Sequence, residues 1–283
     1  MFDLLDLFLL RRGIPADDRT IDFRRIDGNP HSKVIYFLPW HTPFSFARQF
    51  GFIALDYLAC YEIPPALVSS EPDFCVKALQ GLVTDAEALL GANGVQPTEA
   101  IIVGLSVGNF PATYLANRIG ARLCSVAPAD RADLMLWQSP AARIVKRRAV
   151  QKGYSLSRYT EIMAGYHPAH NLAGVGANSV FLFGWRDPFV PAGRRRGQIA
   201  AIKAHTLNPQ IIKLDAGHFK TLLISGRYQR AIVGATPSPR RSWSLRVPAL
   251  TQIYGTPLPT AADSRMEDEA QASALATAEQ SPR

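Results

Sequence analysis

Two periods of apolar spacing run along this chain, and the changes between them mark its elements. Unbroken apolar runs bounded by glycine or proline recur: "KVIYFLPW" at 33–40, "TEAIIVGLS" at 98–106, "ARLCSVAPAD" at 121–130, "NSVFLFGWRD" at 178–187 and "QIIKLDAGH" at 210–218. Each predicts a strand; the run at 33–40 reads as a buried central strand and that at 121–130 as a short buried one, because a strand with one wet face would alternate. Between them the spacing changes to three and four residues. In "EPDFCVKALQGLVTDAEALLGANG", Val76, Leu79, Leu82, Val83, Leu89 and Leu90 recur at helical intervals, and the terminal Gly-Ala-Asn-Gly stops the helix. "NFPATYLANRI" at 109–119 and "GQIAAIKAH" at 197–205 also read as helices. "TIDFRRID" alternates in part, as an early strand would, and "GFIALDYLAC" fits either strand or helix. Strands alternating with helices predict an α/β fold with a mostly parallel, twisted sheet flanked by helices.

Two segments depart from this rhythm. Residues 131–165 have helical propensity, no strand, and the basic stretch "RIVKRRAVQKGYSLSR", and read as a small helical insertion. From about residue 236 the chain turns to "TPSPRRSWSLRVP" and then to an Ala-, Glu-, Ser- and Gln-rich tail. The tail is too poor in apolar surface to fold alone and is expected to be largely disordered, leaving 1–235 as the folded domain. At 47% hydrophobic residues in 283, that domain has a substantial core.

Composition narrows the setting. The opening "MFDLLDLFLLRRG" is not read as a signal peptide: Asp3 and Asp6 interrupt it and its arginines follow the apolar run. An amphipathic helix packed on the domain is expected there. No apolar run approaches a membrane span of about 20 residues. Cys60, Cys75 and Cys124 are widely spaced, which points to reduced, buried thiols in a cytoplasmic protein and to no metal site. The net charge of +8 comes without a nucleic-acid motif, so it reads as solubility, or as attraction for anionic substrates.

The chemistry is concentrated where strand 98–106 ends. Gly104-Leu105-Ser106-Val107-Gly108 fits G-x-S-x-G between a strand and a helix, with Pro111 in the helix's first turn. A serine there is turn punctuation or a nucleophile held in a sharp turn, whose neighbours two residues away must be almost bare. No G-x-G-x-x-G or P-loop pattern supports a phosphate loop.

With two further motifs downstream, the sequence from about 30 to 230 resembles the α/β-hydrolase family, whose triad runs in the order serine, acid, histidine. "FLFGWRDPFVP" then places the acid at Asp187, and "IIKLDAGHFKTLL" places the histidine at His218, in a loop after the last strand. Asp130, in "APAD", is the alternative acid; Asp215 takes a loop or strand-end role, and His167 and His170 a loop contact or a place in the pocket lining. The resemblance implies an oxyanion hole from the Val107 N–H and one N–H of "PWHTPF", from Trp40 or His41, with the Trp40 indole narrowing the acyl pocket. Segment 131–165 would be a small cap with apolar "LMLW" facing in. The implied activity is a serine hydrolase acting on a small-molecule ester, lactone or thioester with an apolar acyl group, without cofactor or metal. The alternatives are an acyltransferase or thioesterase for an anionic carrier such as coenzyme A, drawn to Arg143–Arg148 and Arg194–Arg196, and a non-catalytic binding protein. A solvated face is the plainer reading of both basic runs.

Overall fold

Each of the long apolar runs forms a strand in the structure, a computed structural model that describes Asp6 and residues 19–232. Apart from Asp6, the expected N-terminal helix lies outside the described residues, as does the tail from 236. The strands are β1 (Arg24–Asp27), β2 (Val34–Phe37), β3 (Ala59–Glu62), β4 (Ile101–Leu105), β5 (Arg122–Val126), β6 (Val180–Gly184) and β7 (Gln210–Leu214). They form one sheet in the order β1-β3-β2-β4-β5-β6-β7, parallel throughout except for β1, which runs antiparallel to β3. The ambiguous "GFIALDYLAC" becomes a strand only at Ala59; residues 51–58 form the connection into it.

The two faces of the sheet explain why the strands read as continuous apolar runs. Along β2, Ile35 and Phe37 enter one buried cluster, and Val34 and Tyr36 enter the other. Successive strand side chains point to opposite faces, so a strand covered on both sides is apolar at nearly every position. Helices α2 (Pro72–Ala92) and α3 (Asn109–Ile119) contribute to the first cluster, and α1 (Phe44–Gln49) and the last helix to the second. Residues 131–165 form three helices, α4 (Ala132–Gln138), α5 (Arg143–Gln151) and α6 (Leu156–Met163), followed beyond β6 by α7 (Ala192–His205).

The final helix, α8 (His218–Ile232), corrects the expectation of a loop, since His218 is its first residue. Gln229 anchors the far end of this helix. Its side chain is fully buried, accepts from Tyr36 Oη on β2 at 2.7 Å and donates to the Phe52 carbonyl at 3.0 Å.

Strand order reverses between β2 and β4: the chain passes from β2 outward to β3, and from β4 outward to β5 on the other side. Loops leaving the carboxyl ends of β2 and β4 therefore diverge and open a crevice, where ligands bind in sheets of this kind.

Candidate active site

Ser106 follows β4 directly and starts a single tight turn, Ser106–Gly108, that runs into α3. Its φ is +53°, in the left-handed region that costs an L-residue of order 1 kcal/mol or more. Both flanking glycines are required by close approach. A Cβ on Gly104 would lie 2.6 Å from Ala112 Cβ, and one on Gly108 would lie 2.3 Å from the Phe37 carbonyl oxygen. Asn109, fully buried, holds the turn shut by donating to the carbonyls of Ser106 (2.9 Å) and Val126 (2.7 Å) and accepting from Ser125 Oγ (2.6 Å).

His218 reaches this serine from α8, with Nε2 2.8 Å from Ser106 Oγ, and its Nδ1 lies 2.6 Å from Asp187 Oδ2. The Asp187 carboxylate can only accept, so Nδ1 carries the proton and Nε2 is left to accept from the serine hydroxyl. The second Asp187 oxygen accepts from the Phe189 N–H at 2.8 Å, and the Phe189 ring stands edge-on to the imidazole at 4.9 Å. Burial works against an imidazolium at His218. The charge and hydrogen bond of Asp187, joined by the charge of Asp6, outweigh it and raise the histidine above its ordinary pKa.

Other residues proposed from sequence go elsewhere. Asp130 is not brought to the histidine as an alternative acid: its carboxylate takes a two-pronged contact from the Arg194 guanidinium. Asp215 pairs at the surface with Arg186 (2.8 Å). His167 is fully buried beside Asp133 and His170 bonds the Ala164 carbonyl, so neither lines the crevice. Arg194–Arg196 is not a simple solvated face either. Arg195 is 5% exposed, and its guanidinium donates to the carbonyls of Trp185, Asp187 and Val190, tying down the loop that carries Asp187.

Comparisons with known proteins bear on the fold. No family model matches the sequence, and no curated protein matches it either. Solved structures do. The acylaminoacyl peptidase of Pyrococcus horikoshii aligns with 75% of this chain and 38% of its own, at 11% identity and a TM-score of 0.52. TT1662 from Thermus thermophilus aligns over 76% of this chain and 94% of its own (16% identity, TM-score 0.50). Acetyl xylan esterase 1 from Thermoanaerobacterium aligns over 71% and 78% (11% identity, TM-score 0.50). The chain has the α/β-hydrolase fold. At these identities the likeness establishes the fold alone.

On this α/β-hydrolase fold, Ser106 and His218 open into a cavity of about 130 Å³. Its lining includes Trp40, Val107, Phe110, Met135, Ala142 and Leu222. Of the "LMLW" residues expected to face inward, Met135 alone lines it; Leu136 is buried in the core, and Trp137 packs on the Tyr159 ring at 5.2 Å. Trp40 is at the cavity and His41, with φ +52°, is not among its lining residues. A larger groove, about 700 Å³, lies at the opposite edge of the sheet around Lys33, Glu99 and Arg122, away from Ser106.

Among the described residues, no cluster of His, Cys, Asp and Glu has the arrangement to hold a metal ion, and no helix is long and apolar enough to cross a membrane. Cys60, Cys75 and Cys124 are buried, with no disulfide between them. Sequence reasoning missed Asn109, Arg195 and Asp6, whose carboxylate accepts from the His218 and Phe219 N–H groups. An Asn after the elbow was the one local signal available; nothing in the order of residues links positions 6 and 218.

Proposed function

We propose that this chain is a serine hydrolase that cleaves a small carboxylic ester, lactone or thioester through an acyl-enzyme. The carrying observation is the hydrogen-bonded line Ser106–His218–Asp187 at the edge of an apolar cavity. His218 removes the Ser106 proton as the oxygen attacks the acyl carbonyl, while Asp187 fixes the imidazole tautomer and stabilises the imidazolium. The carbonyl oxygen becomes an oxyanion facing the Val107 N–H and a second N–H from the loop after β2, for which Trp40, at the cavity, is the better candidate than His41. The imidazolium then protonates the leaving alkoxide or thiolate. His218 next deprotonates a water that attacks the acyl-serine, releasing the acid and restoring Ser106.

Helix α4 supplies Met135, and the turn between α4 and α5 supplies Ser139, Ala141 and Ala142, around the cavity, which this segment caps. Cavity size bounds the acyl group. A pocket of about 150 Å³ holds a benzene molecule, so this one suits an apolar acyl chain of up to about six carbons. The buried, unbridged thiols support a cytoplasmic setting. A thioester of an anionic carrier is the second reading, favoured by Arg143, Lys146 and Arg147, which are exposed directly after the cavity residues Ala141 and Ala142.

A fluorophosphonate probe tests the nucleophile: the wild type labels and Ser106→Ala does not. Equal labelling of both, or of neither, removes the serine-hydrolase reading in favour of a binding protein. A series of p-nitrophenyl esters then reads the pocket, with rates falling beyond about six acyl carbons, and an acyl-coenzyme A set against an uncharged thioester separates the two substrate classes.

A further inference from the structure

Asp6 lies 212 positions before His218 in the chain, yet its carboxylate is buried against the helix that carries the histidine. Oδ2 accepts from the His218 N–H at 2.9 Å and Oδ1 from the Phe219 N–H at 3.2 Å. The first N–H groups of a helix have no partner within it and are ordinarily satisfied by the side chain of the preceding residue. Here that residue is Gly217, which has none. The cap is therefore imported, and it is an anion, the sign that a helix N-terminus favours.

We propose that Asp6 is a positioning residue of the site: its carboxylate fixes the first turn of α8, and with it the imidazole of His218, and sets a second negative charge beside that imidazole. Asp187 acts through the ring, on Nδ1; Asp6 acts through the backbone N–H of the same residue. Placing two carboxylates at one histidine has a cost, since Asp6 and Asp187 repel each other. That cost is recovered whenever the imidazole is charged, and the proposed reaction charges it in both half-reactions. Among the described residues, the ionisable side chains acting on His218 are Asp187 and Asp6, and those acting on Asp6 are His218 and Asp187, while burial raises the Asp6 carboxyl above its ordinary value.

The role rests on His218 serving as the base, so its test reads the histidine directly. The full chain, labelled with ¹³C-histidine and assigned through His218→Gln, is titrated by NMR. Asp6→Asn is expected to lower the His218 pKa by about half a unit to one unit and kcat by about three- to tenfold, with KM unchanged. Asp6→Glu, which keeps the charge, is expected to hold the wild-type pKa. An unchanged His218 pKa in Asp6→Asn, or equal shifts in both variants, would overturn the proposal. If Asp6→Asn does not fold, the Asp6 carboxyl resonance of the wild type must show an inflection at the His218 midpoint, and a flat response overturns it equally. Failure of the wild type to react with the fluorophosphonate sinks the hydrolase reading alone and leaves the titration to judge Asp6.

Discussion

Among the described residues, two buried Asp–His ion pairs occur, and their histidines shift in opposite directions. At the crevice, His218 sits 2.6 Å from Asp187 and its pKa is raised. Between the helices of 131–165 and the segment that follows, His167 sits 3.5 Å from Asp133 and its pKa is lowered to about 4. Burial disfavours the cation at both. What differs is the company each pair keeps: the charges of Arg131 and His170 oppose a cation at His167, that of Asp6 favours one at His218, and the two aspartates are committed to different degrees. Asp133 takes the Arg131 guanidinium, the Thr160 hydroxyl at 2.5 Å and the Leu134 N–H, and despite its burial these partners and His167 keep its carboxyl below the ordinary range. No hydrogen bond to His167 is made, and both ring nitrogens lie buried without a hydrogen-bond partner. Asp187 has one backbone donor on one oxygen and gives the other to the histidine. On the proposed hydrolase reading, the aspartate with an oxygen left to give serves proton transfer at its histidine, while the committed one leaves a neutral, buried histidine with a latent acid sensitivity.

The sharpest way to break this comparison is to remove the charge from each aspartate. Asp187→Asn is expected to lower kcat by about 10⁴-fold, because the amide favours the wrong imidazole tautomer. Asp133→Asn is expected to leave kcat within about threefold, the scale of context effects on single contacts, while lowering the melting temperature. Ester hydrolysis and thermal melts of the two variants decide it, and a comparable loss of kcat in Asp133→Asn would erase the distinction.

The second contrast is the sign of the pH dependence of stability. His167 binds its proton more weakly in the folded chain than in the unfolded one, so stability falls as pH drops from the ordinary histidine value toward about 4. The loss reaches at most about 3 kcal/mol. His167→Gln should flatten that acid limb in urea titrations at pH 7 and pH 5. His218, with a raised pKa, contributes stability present below the ordinary histidine value and lost as pH rises through its folded value. Activity runs the other way: kcat/KM should climb with pH through the same raised value, because the base must be neutral to accept the serine proton. An activity limb centred near pH 4 would assign the base to the wrong histidine. The smallest effect belongs to Thr160→Val, which removes one hydroxyl from Asp133 and should cost about 1–2 kcal/mol with kcat unchanged.

Much of the fold and of the candidate site is legible in the order of residues alone. The strands of the sheet's central region are readable because burial on both faces leaves an apolar run with no interruption, and the long helix α2 because its period is sustained. The elbow is readable because the constraint on Gly104 and Gly108 is local: a tight turn whose neighbours cannot carry a Cβ. Ser106 stands out from its turn, the hydrolase resemblance then points to Asp187 and His218 at strand ends, and the structure brings these three within hydrogen-bond distance. The sequence favours Asp187 and keeps Asp130 as the alternative. Both follow strands, and only the packing of α7, which carries Arg194 to Asp130, commits one of them elsewhere.

What the sequence by itself determined is whatever depends on neighbours along the chain: the period of burial, the bare positions around a turn, the ends of strands. The tertiary structure alone decided the rest. It brought Asp6 to the helix of His218, turned Arg195 inward onto the loop of Asp187, and left the two Asp–His pairs with opposite behaviour. Each of these depends on which polar groups share a dehydrated space. That is a property of distance through the fold, and residue order does not encode it locally.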